Sequence, residues 1–151
     1  MNSLIVKNTI TINAPVSKVW DALVNPQQTK KYMFGCEAVS DWKPGSPLLW
    51  KGVFDGKELV AVKGTVVSIQ PEKYLEYTTI DPNNPAIKDV AENYLTVTYD
   101  LKPIDGQTLL AVTQGDYAKV ADGQSRYNDT IAGGGWQSVL DQVKKLVEEG
   151  S

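Results

Sequence analysis

Tyr94-Leu95-Thr96-Val97-Thr98-Tyr99-Asp100-Leu101 is the stretch that decides the fold. Leu95, Val97, Tyr99 and Leu101 alternate with Tyr94, Thr96, Thr98 and Asp100, a period of two. A strand with one apolar and one polar face has that period; a helix buries every third or fourth residue instead. A few residues on, Asp105-Gly106 is a hairpin dipeptide, and Leu110, Val112 and Gln114 continue beyond it. Working backwards, Leu75, Tyr77 and Thr79 alternate in the same way. Val60, Val62 and Val66 run up to Gln70-Pro71. Leu48, Trp50 and Phe54 lead into a second hairpin signal, Asp55-Gly56, and Lys43-Pro44-Gly45-Ser46 is a turn. The chain from about Phe34 to Gly115 therefore reads as a meander of antiparallel strands, broken by a long loop opening at Asp81-Pro82-Asn83-Asn84-Pro85.

The two ends differ from this middle. Val6, Ile10 and Ile12 predict a first strand, which joins the edge of the sheet. Val16, Val19, Trp20 and Leu23 then fall on one helical face. Asn25-Pro26, with Gln28 three residues after the cap, predicts a second short helix to about Tyr32. Near the C-terminus Trp136, Val139, Leu140, Val143 and Val147 share one face of a helix that Gly150 would stop, and Gly133-Gly134-Gly135 interrupts any helix running into it. The expected class is α+β: a curved antiparallel sheet around a long C-terminal helix, with two short helices after the first strand, all in one domain over residues 1–151.

Composition narrows function by exclusion. There is no histidine and a single cysteine, Cys36, so no Ser-His-Asp triad, Cys-His pair or His/Cys zinc site can be built. A net charge of -3, with Lys30-Lys31 and Lys144-Lys145 the only adjacent basic pairs, argues against nucleic acid. No segment approaches the roughly 20 apolar residues that span a membrane. Met1 to Lys7 shows no secretory pattern, and a cytoplasmic location is the expectation. No cofactor is implied. Ser125 lacks the second glycine of a nucleophile elbow and any histidine to activate it. Asp81-Pro82-Asn83-Asn84 lacks the glycine and distal glutamate of a calcium loop. Cys36 reads as a small buried side chain.

Ile10-Thr11-Ile12-Asn13-Ala14-Pro15, Val19-Trp20-Asp21-Ala22-Leu23 and Asn25-Pro26 occur in an order found in a known superfamily. So do Asp41-Trp42-Lys43-Pro44-Gly45 with Leu48 and Trp50, Gly64-Thr65-Val66 with Pro71 and Leu75-Glu76-Tyr77-Thr78, and Gly135-Trp136 before Leu140 and Leu146. Together these blocks resemble the START-like (SRPBCC, helix-grip) superfamily, and within it the homologues of the activator of the heat-shock-protein-90 ATPase. The resemblance implies a helix-grip fold with a hydrophobic cavity between sheet and C-terminal helix. It also implies three classes of function that share this fold: carriers of small hydrophobic molecules, cyclase-, aromatase- or hydrolase-like enzymes, and chaperone-interacting modules that activate an ATPase.

Of the three, binding of a small hydrophobic ligand without covalent chemistry fits a chain without histidine best. Its expected ligand-binding residues are Trp50, Tyr77, Tyr99, Gln114 and Trp136. Tyr77, Tyr99 and Gln114 lie on the apolar side of their strands, and Trp136 is the first large residue of the covering helix. The glycines at 133–135 remove bulk beside it, so space is expected to open there. A chaperone is the alternative partner.

Overall fold

Seven strands among the described residues form one antiparallel sheet: β1 (Val6–Ile12), β2 (Glu37–Ser40), β3 (Pro47–Phe54), β4 (Lys57–Gln70), β5 (Tyr74–Thr79), β6 (Leu95–Ile104) and β7 (Gln107–Gly115). Their order is β1-β7-β6-β5-β4-β3-β2, a meander whose free edge is closed by the N-terminal strand. Four α-helices accompany them: α1 (Val16–Val24), α2 (Pro26–Thr29), α3 (Gly123–Ala132) and α4 (Gln137–Glu149). This computed structural model describes residues 4–33, 35–83 and 87–149. The start of the meander at Phe34, Asn84-Pro85 of the long loop and the helix stop at Gly150 lie outside the described residues.

The alternation at 95–101 is realised side by side: Leu95, Val97, Tyr99 and Leu101 are buried, and the residues between them are half-buried. Both hairpin signals close two-residue turns. Asp55 and Gly56 have φ of 53° and 77°, Asp105 and Gly106 of 50° and 83°, the left-handed pair that matches strand twist. The second turn sets a register in which Val97 faces Gln114 and Tyr99 faces Val112. On the other side of β6, Val97 faces Tyr77 and Tyr99 faces Leu75. Tyr77, Val97 and Gln114 thus form one row across the sheet, and Tyr99 stands in the next row. The sheet bends at two register shifts, one beside Trp50, where Ala61 is the extra residue of β4, and one at Val67.

The helical face Val16, Val19, Trp20 and Leu23 folds as expected, with Val19 and Leu23 buried and Trp20 half-buried against the core. The second helix is shorter than its capping signal predicts. Asn25 does cap it, its side chain accepting from the Gln27 N–H at 2.9 Å, but α2 ends at Thr29 and the chain turns through residue 33. Gln28 does not complete a capping box; its Oε1 is buried without a partner among the described residues. Thr29 holds the turn instead, its hydroxyl accepting from the Ala38 N–H at 2.9 Å, and Tyr32 donates to the Ala22 carbonyl at 2.7 Å.

α3 has no counterpart in the sequence reading. Its residues, Gly123 to Ala132, have no apolar stripe; only Gly123 is buried. The glycine run that follows is a pinned kink rather than an opening. Gly134 and Gly135 have φ of 89° and 63°, and a Cβ on Gly135 would stand 2.5 Å from Asn8 Oδ1. Asn8 clasps the kink, accepting from the Trp136 N–H at 2.9 Å and donating to the Gly134 carbonyl at 3.3 Å. α4 then lies against β1 and α1 and buries Leu140, Val143 and Val147.

Candidate functional site

Between the concave face and the start of α4 lies a chamber of about 250 Å³, open to solvent on one side. Four of the five expected residues border it: Trp50, Tyr77, Gln114 and Trp136. Each is there for a reason of register. Trp50 and Phe54 are inward positions of β3, Tyr77 and Thr79 are inward positions of β5, and Val97 and Gln114 complete the row begun by Tyr77. The shift beside Trp50 turns Ala61 and Val62, neighbours on β4, into the same space. Met33 and Cys36, which flank the turn out of α2, close the remaining wall.

Tyr99 does not border the chamber, contrary to expectation. It stands one row deeper, almost fully buried, and supports the wall from behind. Its hydroxyl lies 2.6 Å from that of Tyr77, and its ring meets Tyr77 and Trp136 edge-on at 5.5 Å and 6.0 Å between centroids. Nor do the three glycines border the chamber; the space lies on the Gln114 side of Trp136.

Trp136 joins the parts. Its indole N–H donates to Gln114 Oε1 at 3.0 Å, and it packs against both the main core and a second cluster of Val6, Leu95, Tyr117 and Val120. Burial pushes the Tyr77 and Tyr99 hydroxyls well above the ordinary tyrosine range, and burial also raises the Cys36 thiol. Among the described residues no charged side chain borders the chamber. Its wall is apolar with a few hydrogen-bonding groups, the usual make-up of a small-molecule site. A second hollow, of about 290 Å³, lies between α1, α2 and α4, but Lys18 and Asp21 on its rim give it the character of a solvated groove. Among the described residues no three His, Cys, Asp or Glu side chains stand close enough to share a metal ion.

The family model for Activator of Hsp90 ATPase homolog 1-like proteins matches residues 13–148. The chain belongs to this family. A Cytophaga hutchinsonii protein solved in solution is 36% identical to it, with a TM-score of 0.73 over 99% of this chain and 98% of that one. The Aha1 dimer from Colwellia psychrerythraea is 19% identical, with a TM-score of 0.69 over 97% of this chain and 98% of its own. DynU16, from the dynemicin biosynthetic locus, is 16% identical, with a TM-score of 0.70 over 99% of this chain and 49% of its own. At such identities the last two show the fold alone. No curated protein matches the chain. Family and neighbours agree on the α+β helix-grip architecture, and no described helix is long and apolar enough to cross a membrane.

Of the residues the sequence reading missed, Phe54, Thr79 and Val97 stand at even spacings from Trp50, Tyr77 and Tyr99, so the alternation alone placed them on the inner face. Met33, Cys36 and Ala61 carried no such signal. The first two depend on how the turn after α2 folds back, and the third on a register shift.

Proposed function

We propose that this member of the Activator of Hsp90 ATPase homolog 1-like family binds a small, largely apolar molecule in the chamber between sheet and C-terminal helix, without forming a covalent bond to it. Trp50, Tyr77, Gln114 and Trp136 line the site, and Tyr99 braces it. The observation that carries this reading is an apolar chamber of about 250 Å³ free of charged groups. A cavity of roughly 150 Å³ holds benzene, so the space suits a molecule of one or two fused rings. Ala61→Leu is the direct test, because it adds bulk to the chamber from a half-buried position on its wall. Fluoronaphthalene, followed by its fluorine NMR signal, should bind the parent protein and lose at least about tenfold in affinity to the variant. Equal binding to both would remove the chamber from consideration.

One observation favours a second reading, that of a chaperone-interacting module. The β3–β4 hairpin exposes Val53, Phe54 and Leu59, with Val53 71% accessible. Phe54 and Leu59 lie on one face of the hairpin and Val53 on the other, and exposed apolar side chains so placed suit a protein partner that grips the hairpin from both sides. If the chain stimulates the ATPase of purified Hsp90, Val53→Lys with Leu59→Lys should abolish the stimulation, and full stimulation by the double variant would exclude this surface.

A further inference from the structure

Two hydrogen-bond donors at the chamber wall have no acceptor among the described residues, and a third proton sits on one of two paired hydroxyls. The first belongs to Gln114. An indole N–H can only donate, so the atom that meets Trp136 at 3.0 Å is the carboxamide oxygen, and both protons of Gln114 Nε2 are directed elsewhere. Nothing among the described residues accepts them. The second is the indole N–H of Trp50, a residue only 4% exposed, which also has no acceptor among the described residues. The third comes from the Tyr77–Tyr99 pair. Two hydroxyls 2.6 Å apart share one hydrogen bond, which leaves a second proton unplaced. Where Tyr99 donates, that proton belongs to Tyr77, which borders the chamber; where Tyr77 donates, it belongs to Tyr99 behind the wall. Burial raises the pKa of both tyrosines, so both hydroxyls keep their protons at neutral pH.

Gln114 is half-buried, and Gln28 Oε1 is the one buried side-chain polar atom without a partner among the described residues, so these donors are open to the chamber and its contents must satisfy them. Water can do so in the unliganded protein, and a ligand that displaces it must supply the same bonds. A hydrocarbon cannot. An amine or ammonium would set donors against donors. A carboxylate would accept, but among the described residues no Lys or Arg borders the chamber to offset the cost of burying its charge; Arg126 borders only the neighbouring hollow that Gln114 also lines.

We propose that the chamber selects an uncharged apolar molecule bearing a carbonyl-type acceptor oxygen, which Gln114 Nε2 and Trp50 Nε1 bind. The proposal rests on the ligand-binding reading above and adds to it the chemical class of the ligand.

Acetophenone, alpha-methylstyrene and benzoate share one planar skeleton and differ in the group that would meet the donors: ketone oxygen, methylene and carboxylate. Each is titrated into the protein while the tryptophan indole and glutamine side-chain N–H resonances are followed by NMR. Acetophenone should bind at least about tenfold tighter than alpha-methylstyrene and shift the Trp50 indole and Gln114 carboxamide signals. Benzoate should bind more weakly than either. Gln114→Glu keeps the oxygen that Trp136 needs and removes both carboxamide donors. It should bring acetophenone to within about twofold of alpha-methylstyrene. Acetophenone and alpha-methylstyrene binding alike to the parent protein would overturn the acceptor requirement and leave the apolar-ligand reading standing. Tightest binding by benzoate would also overturn it. If none of the three perturbs the chamber resonances, both readings fall. The comparison within the parent protein decides even if the variant does not fold.

Discussion

Leu140→Ala tests whether α4 grips the sheet. Leu140 is 1% exposed and belongs to the core cluster that joins α4 to the sheet and to α1. Truncation removes three carbons from a buried site, about 0.8 kcal/mol each as transfer free energy. The void left behind adds to this unless the helix can settle into it. Here α4 is held at both ends. Trp136 is bonded to Asn8 and Gln114 at its start. Towards its end Lys144 donates to the Thr11 carbonyl at 3.0 Å, and Glu148 accepts from the Asn13 N–H at 2.7 Å. A helix so tethered collapses poorly, so the loss should fall in the middle of the observed 2–5 kcal/mol range, at about 3–4 kcal/mol. For a chain of this size that lowers the melting temperature by roughly 10 °C. Urea unfolding followed by circular dichroism reads the change directly, with the slope of the transition unaltered. Ile131→Ala, at a position half exposed on α3, is the control and should stay within about 0.5 kcal/mol of the parent. A loss below about 1 kcal/mol for Leu140→Ala would mean that α4 is peripheral and that the chamber has no fixed roof.

Stability should hold steady to about pH 9 and then fall. Burial raises Tyr32, Tyr77 and Tyr99 above the ordinary value of 10.0, so above that pH the folded protein binds more protons than the unfolded chain. The stabilisation is whole below pH 10.0 and is lost as the pH rises towards the folded values. Urea melts across this range should show the decline, with a shallower slope for Tyr99→Phe; a flat profile would contradict the burial of the pair. Gly135→Ala should cost about 1–3 kcal/mol, since it strains a left-handed residue and crowds Asn8. Gly106→Ala, at φ 83° with open space around it, should cost less in the same thermal melt, and equal losses would mean that the kink is not clasped.

How far the sequence reached follows from how local each signal is. Alternation and two-residue turns are local, so β3, β4, β6 and β7 were legible almost to the residue. The turn at Asp105-Gly106 even contained the answer that the site reading missed. A two-residue turn pairs Ile104 with Gln107, and counting outwards pairs Tyr99 with Val112 and Gln114 with Val97. Tyr99 and Gln114 could therefore have been assigned to different rows from the sequence. The row of Tyr77 could not, because a long loop rather than a tight turn separates β5 from β6 and leaves their register free. α3 escaped for a different cause: a helix that buries little of its own surface has no period to read. The glycines at 133–135 were visible, but whether they open a space or permit a close approach depends on Asn8, more than a hundred residues away.

The protons at the wall bear on what the chamber can do. A general base must lose its proton near the working pH. Burial has moved Tyr77, Tyr99 and the Cys36 thiol the other way, and among the described residues no carboxylate, amine or imidazole borders the space. On the proposed reading, the groups that would meet a ligand therefore keep their protons and act as hydrogen-bond donors. Donors can position a carbonyl oxygen and draw charge towards it, but they cannot take a proton from its neighbour. A protein that used these residues for proton abstraction would need their pKa values lowered, by a cation or by access to water, and the rows around Tyr77 provide neither. If the chamber takes a ligand as proposed, the burial that makes Tyr77 a firm wall residue suits it to holding that ligand unchanged.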